Sequence, residues 1–141
     1  MFSLFKKTEK STKPKSLGRL GEEAAQEEYK KLGYKIIATN EYNKKGKQLG
    51  EIDFIAKNDK KIIFVEVKTR NPAKAKFGTA EESVNIYKQK KILSAVKVYL
   101  LSHNEYVNLQ PQIDVCVMKY DELDKTLKCD KIILNAVEDS F

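Results

Sequence analysis

Apolar residues recur at steps of three and four from Leu17 through Leu20, Ala24, Ala25, Tyr29 and Leu32. That spacing predicts a first helix, with Ser16 as its N-cap and Gly33 as its stop. The period then shortens to two. Tyr34–Thr39 reads as a strand, Asn40–Gln48 as a polar loop carrying Lys44, Lys45 and Lys47, and two further strands lie within Glu51–Ala56 and Lys61–Thr69 around a turn at Asn58-Asp59. Asn71-Pro72 breaks the last of these. Thr79-Ala-Glu-Glu82 has the spacing of a capping box, and Val84, Ile92, Ala95, Val96 and Tyr99 form the apolar stripe of a second helix, with Asn85 as an alternative start. Lys88, Lys90, Lys91 and Lys97 occupy its far side. Gln112–Tyr120 alternates, Ile113, Val115 and Val117 against Asp114, Cys116 and Met118, and Lys131–Val137 is a candidate last strand. The order α-β-β-β-α-β predicts an α/β domain with a central mixed sheet flanked by helices.

Composition narrows this picture. The chain has 141 residues, 41% of them hydrophobic, the size of one compact domain with a single core. Residues 1–15, with five lysines against Glu9, are too polar to bury themselves and are expected to form a basic flexible arm ahead of a domain at 16–141. The net charge is +7, which favours a polyanionic partner and says no more than that. No apolar run approaches the roughly 20 residues of a membrane span, and Met1–Lys7 does not resemble a signal sequence, so a soluble, cytoplasmic protein is expected. Two cysteines, Cys116 and Cys129, and one histidine, His103, cannot alone build a four-ligand zinc site. Both cysteines are expected to be reduced, Cys116 within the core. No phosphate-binding glycine motif is present, and a lone histidine gives little basis for a nucleophile–histidine machine. Any catalysis must rest on carboxylates, lysines and a metal.

The stretch Gly50–Arg70, GEIDFIAKNDKKIIFVEVKTR, supplies the carboxylates. In an extended strand Glu66 and Lys68 share a face with Ile62 and Phe64, while Ile63, Val65 and Val67 fill the other. A hairpin turn of even length centred on Asp59-Lys60 pairs Asp53 with Glu66 and points both from one face; an odd length would separate them. With the even register, two carboxylates and an ammonium converge within the roughly 5 Å of cross-strand neighbours. Hard oxygen ligands of this kind suit Mg²⁺ or Mn²⁺, and the lysine is placed to offset charge developing on a phosphate. A charged face at a strand end is more often plain surface; here Asp53 and Glu66 both interrupt strongly apolar runs, where unpaired carboxylates are costly.

Asp53, Glu66, Lys68 and the element order together resemble a PD-(D/E)xK nuclease, which implies a restriction-endonuclease-like core. More closely, GRLGEEAA at 18–25, GEIDFIA at 50–56, FVEVKTR at 64–70, FGTAEESV at 77–84 and KQKKI at 88–92 resemble the YraN family of that superfamily, related to archaeal Holliday-junction resolvases. The resemblance implies a metal-dependent cut in DNA, with Asp53, Glu66 and the Val67 carbonyl as ligands and Lys68 as the catalytic lysine. A resolvase-type glutamate of the first helix falls on Glu22, which the resemblance adds as a further catalytic and metal-binding candidate and a bottom-up reading equally allows as a solvated residue of the first turn. Where the superfamily has Pro this chain has Ile52, as is usual for the GEID pattern, and Glu51 should face away from the site. Lys44, Lys45, Lys47, Arg70, Lys74, Lys76, Lys88, Lys90 and Lys91 are candidate phosphate contacts, and the resemblance adds Gln89 beside Lys88. Asp114 is expected to make a structural hydrogen bond. The functional expectation is an endonuclease acting on structured or branched DNA in repair or recombination, the alternative a non-catalytic nucleic-acid-binding module on the same fold. A membrane-surface role has little support, since the arm lacks an apolar face. Resolvases work as dimers, which leaves a homodimer open.

Overall fold

The computed structural model describes residues 14–39, 52–74 and 86–137. The basic arm through residue 13, the lysine loop at 40–48, Glu51, Lys76, the capping box and Val84 fall outside the described residues.

Helix α1 spans Leu17–Lys31; the Ser16 hydroxyl accepts from the Arg19 amide as its N-cap, and Gly33, at φ 93°, takes the left-handed turn that ends it. Strands β1 (Lys35–Thr39), β2 (Phe54–Lys57) and β3 (Lys61–Arg70) form an antiparallel meander. Helix α2 (Ile86–Ser102) then crosses over to β4 (Gln110–Asp121), which runs parallel to β3, and β5 (Thr126–Ile133) returns antiparallel. The sheet order is β1-β2-β3-β4-β5, the mixed sheet between helices that the element order predicts.

Strand alternation divides the core between two layers. On the α1 side, Ala25 and Tyr29 pack over Phe54, Ala56, Ile63, Val65, Cys116 and Met118. The Tyr29 ring meets Phe54 edge to face at 5.3 Å, a contact worth about 0.5–1.5 kcal/mol beyond its area. On the α2 side, Ile92, Ala95, Val96 and Tyr99 cover Ile55, Ile62, Phe64 and Ile113. Cys116 is buried and both cysteines are free thiols.

The β2–β3 turn fixes the register on which the site depends. The Asn58 carboxamide oxygen accepts from the Lys60 and Lys61 amides at 2.9 and 2.7 Å, closing an Asx-type turn. Phe54 then pairs with Val65 and Ala56 with Ile63, the even register inferred from sequence.

The last strand lies earlier than expected, at Thr126–Ile133 rather than Lys131–Val137. Leu127 and Cys129 alternate with exposed Lys128 and Asp130, a weak pattern because β5 is an edge strand with one wet face. The strand stops where Asn135 adopts φ 49° and its amide turns to Asp114.

Candidate active site

Asp53 sits one residue before β2. Ile52 departs from strand parity and packs with Ile55 in the α2-side core, so the regular ladder begins only at Phe54. The Asp53 amide still donates to the Val65 carbonyl at 3.0 Å, and its Oδ2 accepts from the Val67 amide at 2.7 Å. These two bonds hold the carboxylate across from Glu66. Glu66 is only 6% exposed in the middle of β3, with Oε1 3.3 Å from the Lys68 ammonium two residues along the same face. No described residue donates to its other oxygen, Oε2, which is buried.

From the opposite direction α1 brings Glu22 near enough for its charge to act on Asp53. Burial, then the Glu66 charge, then Glu22 push the Asp53 carboxyl up to about 8, against the opposing pull of the Val67 amide. Arg19 lies 3.9 Å from the far side of Glu22. Asp53, Glu66, Lys68, Glu22 and the Val67 backbone, drawn from three separate segments, are therefore gathered at one place.

The approach of α1 depends on a residue that carries no side chain. Gly21 is buried against Thr69 of β3; a methyl group there would overlap Thr69 Oγ1 and stand 2.9 Å from its Cβ. Any larger residue must push the helix off the strand, and Glu22 with it. Sequence reasoning passed over this pair, although a glycine inside a helix costs about 1 kcal/mol relative to alanine and calls for a packing reason.

Arg70 and Lys74 extend from the site along the end of β3, the first partly and the second fully exposed. Lys88 and Gln89 are half-buried in the opening turns of α2, and Lys91 is exposed there. The expected lysine contacts at 44, 45, 47 and 76 lie outside the described residues. Asp114 is structural as expected: wholly buried, it accepts from the Tyr29 hydroxyl at 2.7 Å, the Gln112 amide at 2.8 Å and the Asn135 backbone at 3.2 Å. Burial and the Asp114 charge raise the Tyr29 phenol, so it stays a donor.

An α/β domain whose mixed sheet carries two facing acids and a lysine on its central strands is compatible with a restriction-endonuclease-like core. Residues 21–118, which include all four clustered side chains, match the model of the family described as uncharacterised protein family UPF0102, and the chain belongs to that family. It is 39% identical to UPF0102 protein TTE1452 of Caldanaerobacter subterraneus over 90% of this chain and 98% of the relative. A UPF0102 protein of Caldicellulosiruptor bescii is 40% identical over the same shares.

Proposed function

We propose that this protein is a metal-dependent endonuclease that hydrolyses phosphodiester bonds of structured or branched DNA in repair or recombination. The observation that carries the proposal is the meeting of Asp53 and Glu66 across the β2–β3 ladder with Lys68 beside them. A hairpin needs no acids at these positions, and their mutual repulsion in a half-buried setting opposes folding. A protein that only held phosphate would gain nothing from carboxylates directed at it.

The residues fit a hard divalent cation. Asp53 and Glu66 would hold it, with the Val67 carbonyl as a further donor and Glu22 as a third acid beside Asp53. One or two carboxylates is the number Mg²⁺ or Mn²⁺ takes from a protein when substrate phosphate and water supply the rest. When bound, such a cation supplies Lewis-acid polarisation of the phosphate and lowers the pKa of its water. Asp53 must give up its proton to bind, so metal affinity rises with pH. Lys68, tied to Glu66 and only 18% exposed, offsets charge that builds on phosphorus in the transition state. Arg70, Lys74, Lys88, Gln89 and Lys91 would hold the DNA backbone on either side, a sequence-independent footprint that weakens with salt.

The test is cleavage of labelled single-stranded, duplex, flap and four-way-junction DNA with Mg²⁺ or Mn²⁺. Wild type should cut a branched substrate, and Asp53→Ala and Glu66→Ala should each lose on the order of 10³-fold in rate, as expected for removal of a group that stabilises the transition state. Binding without cutting under either metal, or mutants as active as wild type, would replace this reading with the nucleic-acid-binding module.

A further inference from the structure

At the other end of the sheet, about 17 Å from Glu66 along β3 by strand rise, a cavity of about 770 Å³ opens between the end of α2 and the start of β4. Its floor is apolar, from Leu100, Leu109 and Pro111. At its rim Leu101 and Val107 are 83% and 75% exposed, and Val98, one helical turn before Leu101, is 42% exposed. Large aliphatic side chains so exposed and so close together mark a contact surface rather than ordinary solvent-facing positions.

Three further properties describe what fits. Lys60 and Lys97 both line the cavity, and among the described residues no acidic one does, in a chain that carries 20 Asp and Glu. That charge favours an anionic occupant. Asn104, Asn108 and Gln110 add side-chain amides, each able to donate and accept, which is the pairing an extended peptide backbone presents. Among the described residues Tyr106 is the one aromatic ring in the lining, and it already lies parallel to Tyr99 and His103 in a stack of three, at centroid distances of 6.4 and 6.2 Å. Nucleobases bind chiefly by stacking on exposed aromatic faces. An engaged tyrosine amid exposed leucine and valine suits aliphatic or aromatic peptide side chains better.

We infer that this cavity is a docking site for an acidic peptide segment of a partner protein, with apolar anchors that enter between Leu101 and Val107 and carboxylates that meet Lys60 and Lys97. The site is separate from the carboxylate pair and its occupation does not depend on catalysis there. Its position leaves the Asp53–Glu66 end clear, so a partner held here can deliver this protein to its substrate without covering the acids.

The experiment is fluorescence anisotropy of the full chain with a fluorescein-labelled Asp-Glu-Asp-Leu-Phe peptide. Two comparison probes are the same peptide with serine replacing leucine and phenylalanine, and a labelled five-nucleotide oligothymidylate. Lys97 and Leu101 are exposed, so Lys97→Glu and Leu101→Ser should leave the fold intact, which circular dichroism verifies. The acidic apolar peptide should bind saturably, each substitution should weaken it about tenfold or more, and added salt should weaken it further. Absence of saturable binding, equal affinity across wild type and both variants, or tighter binding of the oligothymidylate at this cavity would each overturn the assignment.

Discussion

Two sets of acidic side chains sit on this sheet, and the protein treats them in opposite ways. Asp114 on β4 is wholly buried and surrounded by donors: a phenol, a side-chain amide and a backbone amide all point at it. Asp53, just before β2, accepts from the Val67 amide, and Glu66 on β3 pairs with Lys68, yet the charges of Glu66 and Glu22 both bear on Asp53. Burial alone does not separate the two sets, since Glu66 is nearly as enclosed as Asp114. The presence of neighbouring acids does. A buried acid with its hydrogen bonds complete ties α1, β4 and the turn after β5 together, while acids set against one another store unfavourable electrostatic energy that a cation can relieve.

This contrast predicts opposite signs for similar substitutions. The largest effect belongs to Asp114→Ala, which strands three donors in the core and should cost about 3–5 kcal/mol in chemical denaturation. A loss under about 1 kcal/mol would mean the network is wet or replaceable.

Gly21→Ala should follow at about 1–3 kcal/mol, despite the better helix propensity of alanine, because the new methyl collides with Thr69. Thr69→Ala removes Oγ1, the nearest atom it strikes, while Cβ remains, and should restore part of the loss in the double variant. Additive effects of the two changes would show that α1 does not rest on this contact.

The smallest change, and the one of reversed sign, is Asp53→Asn. The Asp53 carboxyl is raised from its ordinary range to about 8, so the native state holds this proton more tightly than the unfolded chain. The contribution of this group to stability should therefore be full below about pH 4, fall as pH rises through the interval to 8, and level off above it. Asparagine has no proton to lose and should flatten that decline, leaving the variant more stable than wild type at pH 8.5 by about 1–2 kcal/mol. Parallel pH profiles for wild type and variant would show the charge to be compensated in some other way.

Much of the fold and part of the site are legible in the sequence, for reasons that particular residues make plain. Ser16, Gly33 and the Asn58 turn are local signals with local causes, so the first helix and the hairpin register follow from short-range chemistry. The register alone brings Asp53 to Glu66. Two things were less accessible. β5 hides because an edge strand needs only one apolar face, and Lys128, Asp130 and Lys131 blur its alternation. The influence of Glu22 on Asp53 and the Gly21–Thr69 approach depend on how far α1 settles onto β3, a tertiary distance that no spacing within either segment encodes.

The central claim is that the Asp53–Glu66 pair is arranged for a divalent cation. Thermal unfolding of wild type and Asp53→Asn at pH 8, with and without Mn²⁺ in the absence of DNA, tests it most directly. Mn²⁺ should raise the midpoint of wild type by several degrees, about 1–3 kcal/mol by mass action at saturating metal, and leave the variant nearly unmoved. Equal shifts in both proteins, or none in either, would contradict the claim.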